Sequence, residues 1–156
     1  LRARIASGEF SRQPDRALNR NRFLQVQGLN FERWCRSNHH ILAAIMGFHG
    51  VDYTSGAFFD KKSERIHKGF QIDLMYLVTG SKIVICEIKF PSNPVSHNTV
   101  RSLQEKVAAF LDAQPRFANY TIETAIVMPE EPRSQKVLQE FDHVLTLNQL
   151  MDDHYW

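Results

Sequence analysis

Two hydrophobic periods take turns along this chain, and their order sketches a fold. Over residues 23–48, FLQVQGLNFERWCRSNHHILAAIMGF, apolar residues recur at helical spacing, with Phe31, Trp34, Cys35, Ile41, Leu42 and Ile45 on one broad face. The spacing predicts a helix over about 30–47, capped by Asn30 and stopped by Gly47, with a turn or further helix before it and Gly28 as the break between them. VDYTSGAFFD, residues 51–60, is β-rich and predicts a short strand interrupted at Ser55-Gly56. Two runs, FQIDLMYLV and KIVICEIKF, then flank Thr79-Gly80-Ser81, which is turn chemistry, so they predict a hairpin.

Two prolines in KFPSNPVSHN end the second hairpin strand. Residues 98–113 predict an amphipathic helix, capped by Asn98, that turns Val100, Leu103, Val107, Phe110 and Leu111 inward and ends before Pro115. TIETAIVM (121–128) predicts a buried strand, about 133–140 a short helix, HVLTL (143–147) a short strand and NQLMDD a closing turn. Helix, strands, helix, strand, helix, strand is the order of an α/β domain with a mixed central β-sheet flanked by helices.

Composition adds bounds. The 156 residues suit one domain, and 43% hydrophobic with 23% charged residues is an ordinary globular balance. A net charge of +2 does not by itself indicate a nucleic-acid partner, which must show as a local basic patch. The densest such cluster after the N-terminal segment is Lys61, Lys62, Arg65, His67 and Lys68, either a grip on a phosphate backbone or a solvated face. Cys35 and Cys86 have no second Cys or His at ligand spacing, so they read as small buried hydrophobes rather than zinc ligands. Low cysteine use and the lack of a signal-peptide pattern predict a cytoplasmic setting. No apolar run reaches the ~20 residues that a membrane helix needs. Residues 1–22, arginine-rich and without a clean period, read as a flexible basic arm, a linker or a tag remnant, with the folded domain over 23–156. The start at Leu1 suggests a piece of a longer chain.

Asp73, Glu87 and Lys89 break the hairpin's apolar pattern. Glu87 and Lys89 stand two apart on a strand and therefore share a face. A two-residue loop would set Asp73 opposite Ile88. A three-residue loop at Thr79-Gly80-Ser81, with Gly80 at positive φ, sets Asp73 opposite Glu87 and brings all three charges to one face. That register, or an equivalent bulge, is the expectation. Two carboxylates so close repel by about 4 kcal/mol at an effective dielectric of about 20. A shared proton, Lys89 or a divalent cation can offset this. An ion pair kept only for stability returns little, because desolvation roughly cancels the attraction. Hard oxygen ligands select Mg²⁺ or Mn²⁺, and a metal on two carboxylates beside a lysine suits phosphodiester hydrolysis.

Asp73 followed by Glu87-Ile88-Lys89 on the next strand resembles the PD-(D/E)XK nuclease superfamily, with Gln71-Ile72-Asp73 where the Pro-Asp dipeptide usually stands. The resemblance implies a restriction-endonuclease-like core and a DNA substrate. It makes Asp73, Glu87 and the Ile88 carbonyl metal ligands, Lys89 the catalytic lysine, and Glu32 of NFERWC a further metal contact. Gln71 touches a scissile phosphate or lines the pocket, Gln104 or Lys106 supplies a polar group from the following helix, and Arg101 lies near the same side. FERWC, GFQIDLMYL, ICEIKF and LQEKVAAF further resemble the C-terminal nuclease-like domain of archaeal-type AAA+ ATPases, over about residues 28–150. A metal-dependent DNA endonuclease domain, part of a larger ATPase, is the reading these residues favour. A catalytically idle nucleic-acid-binding or interaction module is the alternative, and a homodimer acting on branched DNA stays open.

Overall fold

Asn19 begins the first long helix of the computed structural model, which describes residues 2–8, 19–61, 69–90, 95–132 and 135–155. Its side chain accepts a hydrogen bond from the Arg22 N–H at 3.1 Å and so satisfies one open donor of the first turn. After a short exposed helix α1 (Arg2–Ala6), helix α2 therefore runs from Arg20 to Ser37, ten residues earlier than the periodicity indicates and from inside the segment read as an arm. Gly28 does not break it. A Cβ there would meet Phe90 at an ordinary 3.6 Å, so the helix passes that point without obstruction. The break falls at Asn38, whose backbone N–H and side-chain Nδ2 both donate to the Trp34 carbonyl, and α3 (His39–Ile45) follows. Gly47, at φ +83°, ends that helix as the sequence indicates.

Strands β1 (Tyr53–Asp60), β2 (Phe70–Val78) and β3 (Lys82–Ile88) form an antiparallel meander. Helix α4 (His97–Ala113) then returns the chain so that β4 (Thr121–Met128) pairs parallel to β3, and β5 (His143–Thr146) pairs parallel to β4. Ser96, not Asn98, heads α4, its N–H donating to Thr99 Oγ1 at 3.1 Å. Residues 136–140 form a single 3₁₀ turn, and α5 (Leu147–Leu150) takes the place of the closing turn. The result is α/β: one mixed five-stranded sheet, in order β1-β2-β3-β4-β5, flanked by helices. Among the described residues no helix is long and apolar enough to cross a membrane.

Two cores lie on the two faces of the sheet. Phe31, Cys35, Ile41 and Leu42 from α2 and α3 pack on Leu74, Tyr76, Val84, Cys86 and Val127. Val100, Leu103 and Phe110 from α4 pack on Ile72, Ile83, Ile85 and Ile126. β3 is thus buried on both sides, which explains its continuous apolar run. Both cysteines are fully buried, and burial pushes the Cys35 thiol up to about 12, so they are packing residues rather than reactive ones.

The β2–β3 loop is the three-residue Thr79-Gly80-Ser81, with Val78 paired to Lys82 across it. Gly80 has φ +98°, but Ser81 also stands at φ +71°, where an L-residue carries steric strain. Ser81→Gly is expected to stabilise the protein by about 0.5–1 kcal/mol, after allowing for glycine's freedom in the unfolded chain. Urea denaturation of the two proteins measures this, and a less stable variant contradicts the strain.

Candidate active site

The site forms where β2 and β3 part. Their pairing runs regularly from Val78–Lys82 to Leu74–Cys86. One further step would set Asp73 opposite Glu87, the register expected from the loop, but the regular ladder stops short of that step. The reason lies on the other side of β2. Gly56 faces Met75 and Phe58 faces Ile72, so two β2 residues, Asp73 and Leu74, stand opposite the single residue Ala57. This bulge changes the facing of the strand. Ile72 packs under α4 and Leu74 under α2 and α3, whereas an unbroken alternation would put both on one face. Asp73 sits at the switch, and its Oδ2 accepts a hydrogen bond from the Ile88 N–H of β3 at 3.0 Å.

Glu87 is one of the few buried polar residues, only 4% exposed. Lys89 Nζ lies 2.7 Å from its Oε1, and Lys106 Nζ, reaching in from α4, lies 2.7 Å from its Oε2. Glu32 on α2 pairs with Arg36 one turn on and accepts a hydrogen bond from Gln71 Nε2 at 3.3 Å. Gln71 Nε2 also lies 3.5 Å from Asp73 Oδ1, so it links the α2 carboxylate to the strand carboxylate. Burial, above all, and then the Glu87 charge push the Asp73 carboxyl up to about 6, against the pull of the Ile88 N–H and of Lys106.

The expected residues divide clearly. Glu32, Gln71 and Asp73 form one hydrogen-bonded set, Lys89, Glu87 and Lys106 an ion-paired one, and the two adjoin where Asp73 accepts from the N–H of the Glu87–Ile88 peptide. Gln104 is exposed and joins neither set, so Lys106 is the α4 residue that reaches the site. Arg101 is also exposed and donates to Asn98 Oδ1 at 3.1 Å on its own helix instead. Lys61 is exposed at the start of the β1–β2 connection. The ends of that connection, Asp60 and Phe70, pair with each other, so it leaves the sheet at the end that carries Asp73. Lys62, Arg65 and Lys68 lie outside the described residues, as does His67.

Arg36 is the site residue the sequence reading missed. Its Nε donates to the Asp73 carbonyl at 2.9 Å while its guanidinium holds Glu32, so one side chain ties α2 to the bulge. The Glu32–Arg36 spacing of four on a helix is the signal that points to it. Beside Glu32 and Lys89 a groove of about 370 Å³ opens between α2 and the end of β3, walled by Leu24, Gly28, Leu29 and Phe90.

Asp73, Glu87 and Glu32 are hard oxygen donors of the kind that a divalent cation such as Mg²⁺ takes. Among the described residues no group of three or more His, Cys, Asp and Glu side chains converges as a ready-made cage. Mg²⁺ commonly uses one or two carboxylates together with water and phosphate, so two strand carboxylates fit it. Comparison with protein-family models, with curated proteins and with solved structures finds no match to this chain.

Proposed function

We propose that this chain is a metal-dependent DNA endonuclease domain of the PD-(D/E)XK kind, hydrolysing phosphodiester bonds with Mg²⁺ or Mn²⁺. The observation that carries the reading is Asp73 bound to the Ile88 N–H beside the Glu87–Lys89 ion pair where β2 and β3 part, with Glu32 joined to Asp73 through Gln71. Asp73, Glu87 and the Ile88 carbonyl would hold the ion, and Glu32 would reach it directly or through water. The ion, when bound, supplies a Lewis acid for the phosphate and lowers the pKa of a water. Lys89 stands beside Glu87, where its ammonium can orient the attacking water and neutralise charge that develops on the phosphate. Gln71 lies between Glu32 and Asp73 and can donate to a phosphate oxygen. Lys61, next to the Asp60–Phe70 pair at the same end of the sheet, offers positive charge to the DNA backbone. The similarity to ATPase-linked nuclease-like domains suits a part of a larger AAA+ protein.

The test is cleavage of linear, single-stranded and branched DNA with and without Mg²⁺ or Mn²⁺, wild type beside Lys89→Met. Metal-dependent cleavage that falls by about 10²–10⁴ in the variant is expected. Equal cleavage by both proteins counts against the reading. A second reading has its own observation. Both oxygens of Glu87 are paired with lysines, as an idle site would leave them. DNA binding without cleavage under any metal, unchanged in Lys89→Met, selects that binding-module reading.

A further inference from the structure

Glu87 is held from two directions. Lys89 follows two residues on, just past the end of β3, and pairs with Oε1. Lys106 comes from α4, on the other side of the chain crossover, and pairs with Oε2 at the same 2.7 Å. The Glu87 side chain is 6% exposed, so water cannot readily replace either ammonium. The neighbouring carboxylates are held by one oxygen each, Asp73 Oδ2 by the Ile88 N–H and Glu32 Oε1 by Arg36 and Gln71. No buried side-chain nitrogen or oxygen among the described residues lacks a partner. A cation that is to use Glu87 therefore finds both its oxygens taken and must displace one of the two ammonium groups.

Lys106 is the group placed to yield. It sits on a helix, at the tip of a flexible four-carbon stem, and its side chain is 17% exposed, so a change of rotamer carries its ammonium outward without moving a strand. Lys89 has the same stem and an 18% exposed side chain, but in the proposed hydrolysis it has a place beside the attacking water, whereas Lys106 has no other part in the site. We propose that Lys106 is a resident counter-cation which holds Glu87 until a divalent ion replaces it. Metal loading at this site is then an exchange of one cation for another, and Lys106 is a positioning residue that sets metal affinity. Once released, its ammonium stands at the edge of the site, where it can meet a substrate phosphate. The inference rests on the metal-site reading above, and it adds that the site keeps its geometry and its charge balance without the ion.

The experiment is isothermal titration of Mn²⁺ into the wild type, Lys106→Met, Lys106→Gln and Lys106→Arg, with Asp73→Ala and Glu87→Ala as controls. Removing a charge-assisted hydrogen bond from Glu87 is expected to tighten Mn²⁺ binding by at least about tenfold in Lys106→Met. Lys106→Gln keeps a donor without the charge, so it folds with Glu87 still partnered and is expected to tighten binding by a smaller factor. Lys106→Arg restores the cation and is expected to return binding to the wild-type level. A merely structural lysine would lower the melting temperature of the Met and Gln variants and leave Mn²⁺ affinity unmoved. If all four proteins bind equally and the two carboxylate controls do not bind, the exchange is overturned and the metal site stands. If the wild type binds Mn²⁺ and the Met and Gln variants melt cooperatively without binding it, the exchange is overturned; if the wild type does not bind it either, the exchange and the metal site fall together.

Discussion

Asp73→Asn is expected to make the metal-free protein more stable at neutral pH, by about 2–3 kcal/mol, while removing the metal-dependent cleavage proposed above. The Asp73 carboxyl stands at about 6 in the folded protein against 3.8 as its ordinary value. Burial is the main cause and the Glu87 charge the second. Below the unfolded value both states hold the proton, and the site carries no penalty. As pH rises past 4, the unfolded chain loses its proton while the folded one keeps it, so the folded state loses ground. Above about 6 the folded carboxyl ionises as well and the full penalty, about 1.4 kcal/mol for each pKa unit, is in place. Asparagine removes that slope, and its amide oxygen can still accept from the Ile88 N–H. The shift corresponds to about 4–12 °C in melting temperature for a domain of this size. Urea denaturation of both proteins at pH 4 and pH 7.5 tests it. The difference should be small at the lower pH and full at the higher one. Equal stability at both would mean that Asp73 is neither as buried nor as close to Glu87 as described. A residue that weakens its own fold at working pH is better explained by a ligand than by structure.

The sequence carried the strands of this site more clearly than its helices. Glu87 and Lys89 share a face because strand periodicity is two, and Gly80 at positive φ announces the three-residue loop. The bulge at Asp73 was hidden. Phe70, Ile72, Leu74, Tyr76 and Val78 alternate without a fault along β2, so the apolar pattern runs straight through the point where the strand changes its facing. What reveals it is pairing with β1, a long-range fact that one strand's sequence does not contain. The early start of α2 was hidden for another reason. Phe23, Val26 and Leu29 are exposed, so no buried stripe marks the first half of the helix, and only the Asn19 cap does. The choice between Gln104 and Lys106 was legible in principle. Lys106 stands three residues after Leu103 and four before Phe110, both buried against the sheet, which places it at the border of the packed face.

Glu87→Gln is expected to act in the opposite direction to Asp73→Asn, destabilising the metal-free protein by about 3 kcal/mol although it removes a charge from the same site. The two carboxylates differ in their neighbours. Asp73 accepts from a backbone N–H and faces another carboxylate, whereas Glu87 lies between two ammonium groups. A neutral amide leaves Lys89 and Lys106 partly buried, close together and without a counter-charge. Both side chains retain some exposure, 18% and 17%, and can turn outward, which keeps the cost at the lower end of what breaking a buried pair brings. Loss of the Glu87 charge also relieves Asp73, so part of the penalty is returned, and Asp73→Asn and Glu87→Gln should not add. Adding Lys106→Met to Glu87→Gln removes one of the stranded cations and is expected to recover about half of the loss. Thermal and urea denaturation of the single and double variants, without metal, measure each step. If Lys106→Met deepens the loss instead of recovering it, the lysine is held by packing along its stem and not by the Glu87 carboxylate, and the charge balance assigned to this site is wrong.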